Sequence, residues 1–384
     1  MLTRLTQSGH ALPSPIGSFS ILSPPPHMVI KLPLPVNFFS CPALSPDDAS
    51  QLQQHALDSA MAVVTKSDLD HDTIQWNVRS DEGALQIYKG HAPATSAFVY
   101  MGVMEVVGSI DQVAALVHSA DDPNARIGNQ LVDHATLYSL VMPTGAAPLE
   151  AIAVRWRAFK SPLSLFLAKR DACLVECSHA FTLPDGRRGW VTASTSINLT
   201  CCPELTYATG LVRFVNHGSG HVVVESRTRP GYVEMRSVAQ LDYFLGDGDN
   251  VLTRHLSDLH LTRGCRTLLD LNTFLCQDRL RHGAVLLPSE CEPKAARSHC
   301  YVCTARFRWH PSIGKTNCLK CGYVVCTKCQ TTWRVQDGSM VRDIRVCATC
   351  TMVCHKERPT VLEKLSDSTW TTDVSDLWTC QEAL

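Results

Sequence analysis

The chain contains 384 residues, enough for two or three domains of about 100–200 residues each. Its 35 lysines and arginines nearly balance its 36 aspartates and glutamates, which excludes a uniformly basic nucleic-acid-binding protein, so we expect no nucleic-acid partner. Hydrophobic residues make up 45% and charged residues 18%, a composition that excludes a mostly disordered chain. No stretch reaches the ~18 uninterrupted apolar residues of a membrane-spanning helix, so the sequence predicts a soluble protein.

The first 46 residues differ from the rest in composition. They hold nine of the 21 prolines and no acidic residue, and they lack the apolar core of a secretory signal. The three consecutive prolines at positions 24–26 are incompatible with a helix. We therefore interpret residues 1–30 as a disordered leader, with Met28 as an alternative start, and we expect a cytoplasmic protein.

The first helix is predicted at Pro46–Lys66. Ser45 precedes it as an N-cap, a proline occupies the first helical position, and two aspartates lie in the first turn. Apolar residues then recur at helical spacing. Two further helices are predicted on the same grounds, a short one at Ser109–Ala120 and one long element at Asn250–His282.

Between these helices, apolar and polar residues alternate with a period of two, as is typical of strands. Turn sequences such as Pro184-Asp185-Gly186 separate the runs. The predicted strands are Leu85–Tyr88, Ala97–Val107, Leu131–Met142, Glu150–Phe159, Asp171–Phe181, Val191–Leu199, Leu211–Val215, His221–Ser226 and Tyr232–Phe244. Because runs of strands are bracketed by helices, the sequence predicts an α+β domain with an antiparallel sheet against the long C-terminal helix.

Two strands bear on whether the sheet and the last helix enclose a cavity. The strand Ala97–Val107 is apolar on both faces, which favours burial by the helix or a ligand on one side and by leader segments on the other. On one face of the predicted strand Glu150–Phe159, an aromatic side chain lies beside branched ones. We predict that this stripe, Ile152, Val154 and Trp156, lines a hydrophobic-ligand cavity. A solidly packed core is the alternative.

Eight of the 18 cysteines form four C-x-x-C pairs between positions 300 and 350, a segment with eight lysines and arginines against two acidic residues, hence +6. Each pair places two thiolates on one turn, and eight sulfurs satisfy two tetrahedral zinc ions per chain. Only four residues separate the second and third pairs, which favours interleaving. We expect one zinc on Cys300, Cys303, Cys326 and Cys329, and the other on Cys318, Cys321, Cys347 and Cys350.

The boundaries of this module follow from composition. Residues 287–297 contain two prolines and mixed charge, so we predict a linker there between a large domain at 31–286 and a finger at 298–352. Residues 353–384 are acidic and poor in apolar core residues, which predicts a mostly disordered tail.

The cysteine segment resembles a FYVE-type zinc finger. The resemblance rests on the four cysteine pairs, on Phe307, on the run Cys318–Cys326 and on Arg345 before the seventh cysteine. It implies contact with phosphatidylinositol 3-phosphate on endosomal membranes. Lys315 and Arg345 match the basic positions that hold the lipid headgroup in that family.

The same resemblance implies that Trp309 and Ile313, in the loop that matches the family's turret, insert into the membrane. Thr316 and Asn317 stand where the family has a pair of histidines, and Leu319 stands where it has an arginine. We therefore predict weak binding that discriminates poorly among phosphoinositides.

Two other cross-braced fingers are alternatives. A RING finger, which recruits ubiquitin-charged enzymes, and a PHD finger, which binds histone tails, both normally use a histidine ligand. This segment has no histidine in register with its cysteines. A RING-like ubiquitin-ligase scaffold, or a protein-docking finger without lipid binding, is the alternative function.

Residues 31–286 resemble a START-like lipid-binding domain, a helix-grip fold. The resemblance rests on Ser161–Ser164 followed by Lys169–Asp171, and on the long final helix. Proteins that join a START-like domain to a degenerate FYVE-type finger look similar to the whole chain. The resemblance implies a cavity for one lipid or other hydrophobic ligand.

Sequence motifs for catalysis are missing: there is no Gly-x-Ser-x-Gly, no glycine-rich phosphate loop and no His-Glu-x-x-His. We therefore expect a binding protein and not an enzyme. The predicted function is a zinc-binding, lipid-binding adaptor, cytoplasmic and peripheral on endosomal membranes. Its expected partners are a lipid ligand and phosphoinositide membranes, and the sequence leaves any protein partners open.

Overall fold

The computed structural model describes residues 30–71, 73–91, 98–120, 131–160, 168–242, 251–281, 284–307, 314–337 and 340–352. The predictions of a disordered leader before residue 30 and of a disordered tail after residue 352 lie outside these ranges. None of the helices in the described part of the chain combines the length and the hydropathy that crossing a bilayer requires.

Helix α1 spans Pro46–Lys66, in agreement with its sequence signals. The Ser45 hydroxyl accepts a hydrogen bond from the backbone N–H of Asp48 at 3.1 Å and so caps the first turn. Buried residues recur every three or four positions, which gives the helix one face that packs on the sheet. They are Leu52, Ala56, Ala60 and Val63.

A single large sheet dominates the described residues. Its strands and the short ones beside them are β1 (Gln75–Asp81), β2 (Leu85–His91), β3 (Phe98–Val107), β4 (Leu131–Val141), β5 (Ala151–Phe159), β6 (Arg170–Thr182), β7 (Arg188–Ser196), β8 (Val212–Arg213), β9 (Val215–Asn216), β10 (Ser219–Glu225), β11 (Tyr232–Ala239) and β12 (Leu241–Asp242). The strand order is β1-β2-β3-β11-β10-β7-β6-β5-β4, and β8 pairs with β6. Neighbours along this order are antiparallel, as predicted, whereas β8 is parallel to β6.

Both faces of the sheet are covered, and β3 shows the division because its side chains alternate. Val99 and Met101 lie in a core cluster with α1 and with apolar side chains of the entry segment, which we define as residues 30–45. Tyr100 and Met104 lie in a second cluster, which includes residues of the C-terminal helices. The prediction that this strand is buried on both sides is confirmed. We call these the α1 face and the helix-side face.

Four further helices lie in the described part of the large domain: α2 (Ile110–Ala120), α3 (Thr206–Thr209), α4 (Val251–Cys265) and α5 (Thr267–Arg281). The prediction of one long C-terminal helix was wrong, because a turn at Arg266 separates α4 from α5. The Thr267 hydroxyl donates to the Gly264 carbonyl at 2.7 Å, and such bonds compete with helical ones. The Arg266 guanidinium also reaches out of the helix to Glu82, at 2.6 Å.

The end of α4 lies very close to the middle of β3, at Gly102. A Cβ atom at this position would lie 3.0 Å from the Cβ atom of Cys265 and 3.2 Å from its carbonyl oxygen. Glycine therefore permits a contact between helix and sheet that a larger residue would push apart.

In the described part of the C-terminal finger lie two hairpins, a 3₁₀ turn at Thr327–Cys329 and a short α-helix. Its elements are β13 (Lys315–Asn317), β14 (Val324–Cys326), β15 (Gln330–Asp337), β16 (Met340–Cys347) and α6 (Ala348–Met352). β13 pairs with β14 and β15 pairs with β16, both antiparallel.

The segment 287–297, which stays predicted as a linker, bonds to the finger through Glu292. The Glu292 N–H donates to the Gly322 carbonyl at 3.0 Å. The Glu292 carboxylate accepts from the N–H of Val324 at 3.1 Å, and its carbonyl accepts from the Asn317 amide at 2.8 Å. Prolines and mixed charge, which led to the prediction of a linker, also suit a segment that bonds through its backbone.

Candidate metal centre

The structure gathers the eight paired cysteines into two groups. In each group the four sulfur atoms lie within 4.8 Å of one another. The first group is Cys300, Cys303, Cys326 and Cys329, and the second is Cys318, Cys321, Cys347 and Cys350. This is the interleaved grouping that the spacing predicted, and either group can hold a metal ion.

Local structure explains how the second group forms. Cys318 and Cys321 lie on the turn between β13 and β14, where Gly322 adopts a φ of 80° and donates from its N–H to the Cys318 carbonyl at 2.8 Å. Strand β16 ends at Cys347, and Cys350 follows on α6. The two turns therefore bring two pairs together from segments far apart in sequence.

Strand pairing ties the first group to the second. Cys326 ends β14, Cys329 follows on a single 3₁₀ turn, and β15 begins at the next residue. In the hairpin of β15 and β16, Gln330 pairs with Cys347. The ligands of one group thus lie beside those of the other, which is the arrangement of a cross-braced finger.

Backbone donors around the sulfur atoms suit a metal thiolate. The N–H of Cys326 donates to Cys300 Sγ at 3.2 Å, and the N–H of Cys347 donates to Cys318 Sγ at 3.2 Å. Burial raises the pKa of Cys300, but the N–H donors outweigh this effect and hold the pKa below its ordinary value. Four sulfur ligands in a closed set fit zinc, with Zn–S distances near ~2.3 Å.

An apolar cluster surrounds the cysteines and extends into the large domain. Val325, Val335 and Val346 are buried in it, and so is Leu280 from the end of α5. Beside the cluster, the rings of Tyr301 and Tyr323 stack at 4.0 Å.

The two predicted headgroup residues differ in their surroundings. The Lys315 ammonium donates to the carbonyls of Lys294 at 2.9 Å and Arg297 at 2.7 Å, so it braces the segment before the finger. Arg345 is exposed on β16. The predicted membrane-inserting residues Trp309 and Ile313 lie outside the described residues.

The three residues predicted to line a cavity, Ile152, Val154 and Trp156, lie on the α1 face. The ring of Phe39, from the entry segment, lies 5.3 Å from that of Trp156, whose Nε1 donates to Asp171 at 2.8 Å. Their part in a cavity wall stays a prediction.

On strands β5 and β6, the face opposite the α1 face carries an ion cluster that we did not predict. Arg155 donates to the Glu176 carboxylate at 2.6 Å, and Arg157 donates to it at 2.9 Å. Side-chain exposure is 30% for Arg155, 12% for Arg157 and 15% for Glu176, so the charges are largely shielded. The alternation that buries Trp156 also places these arginines on the other face, and this signal was available in the sequence.

Apolar side chains adjoin the ion cluster on the helix-side face. Leu174 lies two residues before Glu176 on β6 and packs with Phe214, which meets the ring of Phe159 edge-on at 5.7 Å. Leu256 of α4 packs on the same group. The face therefore combines a shielded charged group with an apolar one.

Comparison with known proteins gives a partial likeness in fold. No family profile and no curated protein matches the sequence. Human StAR-related lipid transfer protein 5 is similar in structure at 15% identity and a TM-score of 0.44, over 59% of this chain and 98% of that chain. Human STARD10 is similar at 12% identity and a TM-score of 0.36, over 59% and 81%. The human StarD13 (DLC2) lipid transfer and protein localization domain is similar at 12% identity and 0.38, over 56% and 94%.

Proposed function

We propose that this protein binds a lipid in its large domain, holds two structural zinc ions in its finger, and acts as a binding protein rather than an enzyme. The observation that carries the lipid proposal is the ion cluster of Arg155, Arg157 and Glu176, shielded on the helix-side face. Leu174 and Phe214 provide apolar surface on that face.

An amphiphilic molecule matches this combination. Its polar head would donate to the Glu176 carboxylate, which the two arginines hold in place, while its apolar part covers Leu174 and Phe214. Shielded charges act more strongly on a polar group than exposed ones, because less solvent and salt screens them. Ligand sites usually join apolar walls to a few placed polar groups. The sequence resemblance to START-like domains supports the same class of ligand.

The zinc proposal rests on the two cysteine groups. Four sulfur ligands leave no coordination position for water or substrate, so each ion would be structural. Binding of zinc contributes ~10–16 kcal/mol in small zinc-finger peptides, which makes the folding of such modules depend on metal.

We propose that the finger also makes weak contact with phosphoinositide-containing endosomal membranes while the protein is otherwise cytoplasmic. The exposed guanidinium of Arg345 supports this, and one basic residue near an anionic surface contributes ~1 kcal/mol. Lys315 is held by internal carbonyls, so we expect little discrimination among phosphoinositides. Ubiquitin transfer in a reconstituted assay, without liposome binding, would favour the RING-like alternative.

Native mass spectrometry of the purified full chain tests the two main proposals together. We expect two zinc ions and one copurified lipid per chain. Glu176→Gln should lose the lipid and keep both metals. Glu234→Gln is the matched control, because it removes a carboxylate that pairs with Arg236 at 2.5 Å on another strand. Lipid retention in Glu176→Gln, or its equal loss in both variants, would contradict the proposed site.

Liposome flotation tests the membrane contact. Vesicles with phosphatidylinositol 3-phosphate and vesicles with phosphatidylinositol 4-phosphate should bind the protein weakly and about equally. Arg345→Gln should weaken both by about fivefold, the equivalent of ~1 kcal/mol. Tight binding restricted to the 3-phosphate would show that the pocket is more selective than we propose.

A further inference from the structure

Cys41 and Cys201 lie side by side although 160 positions separate them in sequence. Their sulfur atoms are 2.8 Å apart, and both side chains are half-exposed. A disulfide bond is ~2.05 Å long, so closure requires a movement of less than about 1 Å. Both residues lie outside the two zinc groups.

The surrounding contacts hold the two residues in this position. The Tyr138 hydroxyl, on β4, donates to the carbonyl of Pro42 at 2.9 Å and lies 3.7 Å from Cys201 Sγ. On the other side, the N–H of Cys202 donates to the Leu199 carbonyl at 3.0 Å and closes the turn that carries Cys201. The two sulfur atoms therefore face each other from two anchored stretches of chain.

The segment that carries Cys41 has a particular place in the fold. Residues 30–45, the entry segment, contain neither helix nor strand. Its apolar side chains nevertheless cover the α1 face, packing on the cluster that contains Trp156. Backbone bonds to the body of the domain include the N–H of Leu34 to the Asp133 carboxylate at 2.6 Å and the N–H of Ile30 to the Ala208 carbonyl at 2.8 Å. A covalent bond between Cys41 and Cys201 would join the entry segment to the turn that follows β7.

We propose that Cys41 and Cys201 form an oxidisable dithiol site, in which a hydroperoxide converts the two thiols into a disulfide that locks the entry segment onto the domain. One thiol, as its thiolate, attacks the peroxide O–O bond and becomes a sulfenic acid as the first water or alcohol leaves. The second thiol attacks the sulfenic sulfur, the S–S bond forms, and a water leaves. Two electrons and two protons pass from the thiols to the peroxide in total.

The environment of Cys41 favours a structural disulfide over a catalytic thiol. Burial, followed by the neighbouring Cys201 thiol, raises the pKa of Cys41 to about 12, so this group keeps its proton at neutral pH. Attack of Cys41 on peroxide is therefore slow, and once either sulfur is a sulfenic acid the contact between the two sulfur atoms favours disulfide formation over further oxidation.

Disulfide mapping of the full-length, zinc-loaded protein tests this site. The reduced protein is treated with one equivalent of hydrogen peroxide, blocked with N-ethylmaleimide and digested without reductant. Mass spectrometry should find a peptide pair joined through Cys41 and Cys201, while a chromogenic chelator detects no released zinc. Cys41→Ser and Cys201→Ser should each abolish that pair. Cys177→Ala, which changes a buried cysteine of the core cluster that contains Trp156, should retain it.

Limited proteolysis gives a second, independent measurement. Oxidation should slow cleavage within residues 30–45 several-fold in the wild type, and dithiothreitol should reverse the effect. Cys41→Ser should show no such change, and Cys41→Ala replaces it if the serine variant does not fold. Recovery of Cys41 and Cys201 as maleimide adducts after other cysteines have oxidised would overturn the proposal. So would a disulfide that joins Cys201 to any other cysteine.

Discussion

The guanidinium of Arg279, on α5, donates to the backbone carbonyl of Thr351, on α6 of the finger, at 2.9 Å. The same guanidinium also donates to the carbonyl of Val107 at the end of β3. Arg279 is only 8% exposed. One buried side chain of α5 thus connects the sheet with the finger. Leu280, the next residue, lies in the apolar cluster around the cysteines, so the two parts of the protein share α5.

Zinc removal should therefore loosen the large domain as well as the finger. When a strong chelator strips the metal, the cluster around Leu280 loses its framework and the end of α5 loses its packing. Hydrogen exchange followed by mass spectrometry should show faster exchange in α5, with α1 unchanged. Unchanged exchange in α5 after complete metal loss would mean that the helix does not depend on the finger.

Arg279→Met should destabilise the protein, because it leaves the carbonyls of Val107 and Thr351 without this donor. A buried polar group without a partner costs about 1–3 kcal/mol. Chemical denaturation should report that loss for each carbonyl that water does not reach. Arg281→Met, an exposed position two residues later, is the control and should change stability by less than about 0.5 kcal/mol.

Protonation of Asp258 should contribute to the loss of folding stability in acid. Burial alone would raise the pKa of Asp258, but hydrogen bonds from Arg79, Tyr100 and Lys89 lower it to about 2, from an ordinary value of 3.8. A depressed pKa stabilises the fold fully above the ordinary value, and this stabilisation is lost as pH falls from 3.8 towards 2.

Denaturation midpoints measured between pH 5 and pH 2 test this assignment. The wild type should lose more stability across this range than Asp258→Asn, which has no carboxylate to protonate. Asp270→Asn, at an exposed position on α5, should follow the wild type. If the stability of the wild type and of Asp258→Asn falls equally with pH, protonation of Asp258 does not contribute to the acid sensitivity of the fold.

Val154→Trp separates the two faces of the sheet. Val154 is fully buried on the α1 face, so the larger side chain overpacks that core and should cost about 1–3 kcal/mol. The amount of copurified lipid should stay the same, because the proposed ligand lies on the other face. Lipid loss with a native melting temperature would instead place the ligand beside Val154, as the sequence predicted.

Local sequence patterns were sufficient to predict most of the helices and strands. The capped start of α1 and the alternation along β3 depend on near neighbours, and the pairing of the eight cysteines follows from spacing and the geometry of zinc. The break at Arg266 was missed because apolar residues continue at helical spacing through it; the bond from Thr267 to Gly264 is local, but the ion pair of Arg266 with Glu82 comes from a distant turn. The contact between Cys41 and Cys201 also arises only when the fold brings two irregular segments together. The ion cluster around Glu176 is intermediate, because alternation assigns its face but not its partners.

The packing of residues 287–297 against the finger limits where a fragment containing the folded finger can begin. A fragment that began at residue 298 would lack the carbonyl of Lys294 and that of Arg297, so the Lys315 ammonium would lose both acceptors. It would also lack Glu292, which accepts from the N–H of Val324. The Leu286 N–H, which donates to the carbonyl of Leu319 at 2.8 Å, extends the dependence one residue further. We therefore expect an autonomous finger to begin at or before Leu286, within what composition alone assigns to the preceding domain.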